Sequence, residues 1–318
     1  MPFTVEIPIE RWTGSVREVT LGATREEGGT RSKTVTVGGE TALPFLHFEG
    51  EIPNPPAVAV EVRDRFPEDW SPLLLEAWGD VLKSPASWAE AAEGVGADVI
   101  LLRLSEEDTT PDEAAATVRG VLEATGLPLI VRGPGQAERD NELLVAVAEE
   151  TRGERIVLGL CEEKNYRTIV AAALAHDHLV ISSTPMDVNL AKQLVILIAD
   201  VGMPLDRILL DPTTGALGYG IEYGYSVMER LRLAALSGDR MTQQPMICFV
   251  GEETWRQKES KVGEGVPPSW GDWRRRGITW EAMTATTLIH AGADIVSLRH
   301  PETVKLVRDC IERLMAPQ

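Results

Sequence analysis

The chain has 318 residues, enough for one large hydrophobic core with an extension. Its 49 acidic residues against 31 basic ones give a formal net charge of -18. An acidic surface repels phosphodiester backbones and anionic lipid, which argues against nucleic acid or a membrane surface as the main partner. The N-terminus, MPFTVEIPIERW, lacks the basic and apolar regions of a signal peptide. No apolar run reaches the roughly 20 residues of a membrane span, so the sequence reads as a cytoplasmic protein.

The first fifty residues have their own pattern. REVTLGAT (17–24) and SKTVTVGGE (32–40) alternate β-branched and polar residues around a polar turn and predict a β-hairpin. The proline-rich stretch ending at residue 56 closes this extension, giving a boundary between residues 1–56 and 57–318.

From residue 57 the rhythm changes. Apolar strands are expected at 57–62, 98–104, 128–133, 155–160, 178–183, 207–212, 246–251 and 294–299. A helical pattern follows each one. The helix TPDEAAATVRGVLEATG, for instance, opens on Thr-Pro and closes on Gly126. The strands are apolar along most of their length, as expected when both faces are covered. Eight βα units predict an α/β fold, a (β/α)8 TIM barrel carrying an N-terminal β-hairpin extension that plugs or flanks the barrel's N-terminal end.

Function in such a barrel sits at the C-terminal strand ends and in the loops after them. Reading these off in order gives Arg63 and Asp64, Arg103, Arg132 and Gly133, then Glu162, Lys164 and Asn165. Ser183, Thr184 and Asp187 follow, then Asp211, Thr213, Thr214 and Gly215, then Glu252 and Glu253, and last Arg299 and His300. Of five histidines only His300 lies near such an end, so no multi-histidine metal site is apparent. No lysine occupies a Schiff-base position at a strand end, Lys164 being the nearest. Cys161, Cys248 and Cys310 are too few for a four-thiolate iron–sulfur cluster and too scattered for a disulfide framework.

Two segments stand out. DPTTGALGYGIEYGYS (211–226) follows the sixth barrel strand with four glycines and two adjacent threonines. Its GYGIEYG is GxGxxxG, not the dinucleotide fingerprint GxGxxG, and it follows strand six instead of opening a βαβ unit. What remains is backbone that approaches a ligand closely, next to a helix N-terminus; the plain alternative is a turn that only connects strand to helix. Residues 252–280 hold four of the eight tryptophans and the run Arg274, Arg275, Arg276. This is too long for an ordinary βα loop. It reads either as an interface rich in Trp and Arg or as a local mini-core folded back on the barrel.

DPTTGALGYGIEYGYSVMERLRLAAL (211–236), QPMICFVGEETW (244–255) and the barrel layout resemble the small subunit of the corrinoid/iron–sulfur protein, whose archaeal relative is the delta subunit of acetyl-CoA decarbonylase/synthase. The resemblance covers the barrel, about residues 57–316, and extends to the N-terminal extension. It implies a heterodimer in the anaerobic acetyl-CoA pathway. The large corrinoid/iron–sulfur subunit carries the iron–sulfur cluster and most of the corrinoid (cobamide, cobalt) site, and the small subunit's barrel mouth helps enclose the corrinoid. A methyl group then passes from methyltetrahydrofolate, through a methyltetrahydrofolate methyltransferase, to acetyl-CoA synthase. On this reading the chain is not catalytic alone. The corrinoid-contacting candidates are Asp211, Thr213, Thr214, Gly215, Leu217 and Gly218, with no metal ligand expected in this chain. The DxHxxG motif of B12 domains is absent: His47-Phe48-Glu49-Gly50 supplies HxxG, but Phe45 stands where Asp is required.

Two other readings stay open. A pterin-binding methyltetrahydrofolate-dependent methyltransferase barrel would use Asp211, Asp187, Asn165 and Asn189. An unrelated aldolase or isomerase barrel would want a strand-end lysine, a metal cluster or a phosphate loop. Fold alone does not separate these.

Overall fold

The computed structural model describes residues 7–105, 108–215 and 217–316. Ten strands are present among them: β1 (Val19–Leu21), β2 (Val35–Val37), β3 (Ala57–Arg63), β4 (Val99–Arg103), β5 (Leu129–Arg132), β6 (Val157–Cys161), β7 (Leu179–Ser183), β8 (Ile208–Asp211), β9 (Met246–Cys248) and β10 (Ala293–Leu298). The helices are α1 (Pro72–Trp78), α2 (Pro85–Gly94), α3 (Pro111–Ala124), α4 (Ala137–Glu150), α5 (Tyr166–His176), α6 (Val188–Asp200), α7 (Glu222–Leu236), α8 (Val250–Thr254), α9 (Lys258–Lys261), α10 (Trp273–His290) and α11 (Pro301–Met315). Strands β3 to β10 form a closed parallel barrel in sequence order, with β10 pairing back onto β3. The expected TIM barrel is therefore what the chain forms.

Strand alternation sorts the side chains into two layers. Val58, Val60 and Val62 of β3, Ile100 and Leu102 of β4, and their equivalents pack outward against the helices. The alternate residues Ala57, Ala59, Val99, Leu101, Ile130, Val157, Leu179, Ile181, Leu209, Ile247 and Ile295 fill the barrel interior. Going up each strand, these inward positions change from aliphatic to charged or polar: Glu61 and Arg63, Arg103, Arg132, Ser183, Asp211 and Arg299. The lower barrel is a packed core, and the C-terminal end is polar.

The hairpin closes the other end. Val19, Leu21 and Val37 belong to the same buried cluster as the barrel interior. Backbone bonds tie the extension to the segments that enter the strands: Gly22 N to Arg155 O, Ser32 N to Gly126 O, and Arg17 N to Gln243 O. Gly38 needs its left-handed φ of 84°, and a Cβ there would collide with the Arg17 carbonyl. The hairpin thus plugs the N-terminal end. The paired strands are shorter than the alternation predicts, three residues each, because the connection from residue 24 onward folds into a capped 3₁₀ turn at Arg25–Glu27.

Two buried arginines hold the extension. Arg31 donates to Glu154 and to the carbonyls of Leu122, Thr125 and Leu127. Arg232 of α7 bridges Glu40 of the extension and Asp294 of β10 at 3.2 and 2.9 Å. Other differences from the sequence reading are local. The helical pattern after β3 breaks at Gly79, which has φ 61°. Strand β9 stops at Cys248, and the residues expected to continue it start α8.

Removing one member of a buried ion cluster leaves the others unpaired, at about 3–5 kcal/mol. Arg232→Met strands Glu40 and Asp294. Urea denaturation is expected to show a loss of about that size, and the extension should become the protease-sensitive part of the chain.

Candidate functional site

The C-terminal mouth of the barrel is built around two glutamates and four arginines. Glu61 is 2% exposed and lies at an inward position of β3. It takes a bidentate pair from Arg299, just past β10, at 2.7 and 2.8 Å, and a bond from Arg63 Nε at 3.3 Å. Arg63 also reaches Asp69 at 2.5 Å. Glu252 of α8 holds the second pair: Arg103 at 2.9 Å on one oxygen and Arg132 at 2.5 Å on the other. Trp70 lies under Arg63 and Arg299, and Phe249 under Arg132, at 4.5–5.3 Å from guanidinium to ring.

Burial alone would raise the Glu252 pKa, but the Arg132 and Arg103 charges override it and hold it at about 2. Glu61 is likewise pulled down by Arg299 against its burial. Both carboxylates stay ionised, and neither is placed to donate a proton near neutral pH.

The opposite side of the mouth is the loop after β8. Asp211 is buried and accepts from Ser183 Oγ at 2.7 Å and Thr213 N at 2.9 Å. Burial pushes its pKa up to about 6, against those bonds and the Arg132 charge. Thr213 adopts φ 63°, a left-handed conformation that costs a β-branched residue about 1–3 kcal/mol. It is held there by the Asp211 bond and by its own hydroxyl donating to Thr184 O at 2.6 Å. Thr214 is buried, and Gly215 and Leu217 are half-buried. Gly218 is exposed, beside Tyr219 at 89% and ahead of Tyr223 at 58% exposure. Asp211, Thr213, Thr214, Gly215, Leu217 and Gly218 therefore form one continuous feature, in which Asp211 and Thr213 act as the internal frame.

The remaining strand-end residues divide by role. Asp187 caps α6 through Asn189 N and Leu190 N. Asn165 is buried, donating to Leu160 O and accepting from Glu162 N. Glu162 and Lys164 are exposed. Asp64 accepts from Ser105 and Thr109. His300 is buried as the N-cap of α11, its ring stacked on Trp255, and burial lowers its pKa to about 4. Cys161 and Cys248 are buried thiols with pKa values raised by burial, and Cys310 is half-buried. Among the described residues no cluster of His, Cys, Asp or Glu is arranged to hold a metal, and no helix is long and apolar enough to cross a membrane.

Residues 252–280 fold back as a local mini-core. Trp255 is buried, and Trp270, Trp273 and Trp280 are half-buried. Trp273 donates to Ser260 O, while Arg276 stacks on Trp270 and donates to the carbonyls of Glu259, Val262, Trp270 and Gly271. Helix α10 starts at Trp273, with the Asp272 side chain accepting from Arg275 N. That Asp N-cap was a readable sign that the supposed loop, read as 252–280, ends at Asp272. Sequence reasoning also passed over Glu61, although a lone carboxylate inside AVAVEVR was the signal for it.

The Asp211 carboxyl binds its proton up to about pH 6 in the folded chain but releases it near 3.8 when unfolded. Its contribution to stability is then full below pH 3.8 and is lost as pH rises through about 6. Against Asp211→Asn, which cannot titrate, the wild-type chain is expected to lose about 2 kcal/mol between pH 4 and pH 7. Chemical denaturation of both proteins at the two pH values measures this difference, and a constant difference removes the assignment.

A family profile described as CO dehydrogenase/acetyl-CoA synthase delta subunit matches residues 18–308. The acetyl-CoA decarbonylase/synthase complex subunit delta of Archaeoglobus fulgidus is 38% identical, over 96% of this chain and 70% of its own length. That of Methanopyrus kandleri is 39% identical, over 94% and 75%. Among solved structures, dihydropteroate synthases from Vibrio fischeri and Xanthomonas albilineans superpose with TM-scores of 0.56 and 0.55 at 15% identity, covering 85% and 84% of this chain and 97% of theirs. At that identity the likeness speaks to the barrel fold alone. The match along nearly the whole chain, at 38–39% identity, places this protein in the CO dehydrogenase/acetyl-CoA synthase delta subunit family.

Proposed function

We propose that the chain serves as the delta-type, small subunit of a corrinoid-dependent methyl carrier, and that its barrel mouth helps enclose a corrinoid held mainly by a larger corrinoid/iron–sulfur partner. Family membership supports the subunit role. The observation that carries the mouth assignment is the loop after β8, with Tyr219 and Tyr223 exposed beside Gly218 and Gly220 at the barrel's C-terminal face. Large exposed aromatic rings next to open backbone suit a flat, amide-rimmed ligand or the protein surface that presents it.

The residues at hand fit such a group. Gly215 and Gly218 leave backbone open to close approach. Among the described residues the buried Thr214 hydroxyl has only the Cys248 thiol, a weak partner, beside it and would be better satisfied by an amide. Thr213 supports the loop indirectly, because its hydroxyl is already engaged by Thr184 O. When bound, the corrinoid supplies the cobalt that carries the methyl group. The chain's part is to orient the loop, cover the cofactor's open face and limit access of water and oxidant. The iron–sulfur cluster belongs to the partner subunit in this reading. Methyltetrahydrofolate methyltransferase and acetyl-CoA synthase meet the assembled pair.

The pterin-binding alternative relied on Asp211, Asp187, Asn165 and Asn189. The first three are committed to the chain's own frame, through Ser183 and Thr213, the α6 cap and the Leu160 carbonyl. This favours the carrier-subunit reading.

The test is a visible absorption spectrum, taken anaerobically, of the chain alone and then with the large subunit and a corrinoid. Corrin bands are expected in the complex, retained through gel filtration longer than by the large subunit alone. Thr214→Val should shorten that retention about two- to tenfold, as expected for one lost hydrogen bond. No corrin bands in the complex, together with methyltetrahydrofolate binding by the lone chain, would replace this reading with the pterin one.

A further inference from the structure

The arginine side of the mouth contains a cavity of ≈770 Å³ between β3, β4 and α8. Five arginines and three carboxylates line it, on a chain whose overall charge is -18. Arg63 and Arg103 project from neighbouring strands, and Arg256 adds a third guanidinium from the end of α8. Phe66 is the exposed apolar side chain of the same wall, with the buried Leu104 and Pro134 behind it.

Arginine presents five N–H groups. Arg103 spends one nitrogen on Glu252, and its other two have no partner among the described residues. Arg63 spends Nε on Glu61 and one terminal nitrogen on Asp69, leaving the second terminal nitrogen. The buried glutamates lock both side chains in place, so little further conformational freedom is lost when a ligand arrives. The Arg132 and Arg103 charges keep Glu252 ionised down to about pH 2 against its burial, so this framework does not change between pH 5 and 8. A carboxylate satisfies one arginine fork. Guanidinium groups from two strands and, in Arg256, from the turn after α8, where it pairs with Glu253 at 2.7 Å, call for an anion with three acceptor oxygens.

We propose that this cavity is a binding site for a phosphate monoester of a small ring-bearing molecule. The phosphate sits against Arg63, Arg103 and Arg256, and the ring lies on Phe66. The site belongs to this chain alone. It does not rest on the corrinoid reading, and it is tested without corrinoid or partner.

The test is isothermal titration of the full chain with adenosine 5′-monophosphate, inorganic phosphate and adenosine as probes. The monophosphate is expected to bind with Kd below about 1 mM and adenosine at least tenfold more weakly, with inorganic phosphate between them. Arg103→Gln should raise the monophosphate Kd by about tenfold, and Arg256→Gln by about threefold. Arg256 is largely exposed, so its variant keeps the fold and reads binding directly; thermal unfolding checks the Arg103 variant. Arg313→Gln on α11, far along the chain, should change nothing. No binding of either phosphate probe, or equal monophosphate binding by wild type and both site variants, overturns the proposal. Binding of inorganic phosphate without binding of the monophosphate overturns the ester.

Discussion

The bidentate pair between Glu61 and Arg299 joins the first barrel strand to the residue that follows the last. A closed barrel needs its two terminal strands to meet, and in this chain they are more than 230 residues apart in sequence. Backbone pairing of β10 with β3 aligns them, and the buried ion pair marks the register where they join. Such a pair adds little net stability, because desolvation offsets most of its attraction, but breaking it is costly. Its value is specificity: a slipped seam would leave a carboxylate and a guanidinium buried without partners.

The same pair sets up the mouth. Glu61 also draws in Arg63, and Glu252 does the same for Arg103 and Arg132 on the next two strands. Two carboxylates thus fix four guanidinium groups at the upper inward positions. Across the mouth the frame is built from short side chains, Ser183, Thr213 and Asp211, and ends in the exposed Gly218, Tyr219 and Tyr223. One face is cationic and stiff. The other is open backbone with aromatic rings. This division lets one barrel end meet both a charged group and a broad flat one.

Much of the fold was legible because the barrel strands are apolar runs and the helices carry plain start and stop residues, such as Thr110-Pro111. The hairpin was legible from the alternation in 17–24 and 32–40, but whether it plugs or flanks the barrel was not. What escaped the sequence depends on long-range partners. Glu61 looks like one charge in a strand until Arg299 is brought beside it. Glu252 lies in a segment that reads as a strand followed by loop, and only the early end of β9 at Cys248 places it on α8. The loop at 211–218 was found by its composition. The division inside it, with Asp211, Thr213 and the buried Thr214 as frame and Gly218 as surface, follows from backbone angles and burial that composition does not encode. Residues 252–280 were ambiguous because Trp and Arg serve both interfaces and mini-cores, and Arg276 resolves this by turning inward.

The hairpin plug has a further consequence. With Val19, Leu21 and Val37 packed into the lower end, the described barrel is a cup instead of a tube. A molecule in the mouth must leave by the face through which it entered. A subunit seated on that face would act as a stopper, so exchange of anything beneath it would run at the rate of subunit separation, whatever the strength of its own contacts. Residence time would then be a property of the assembly.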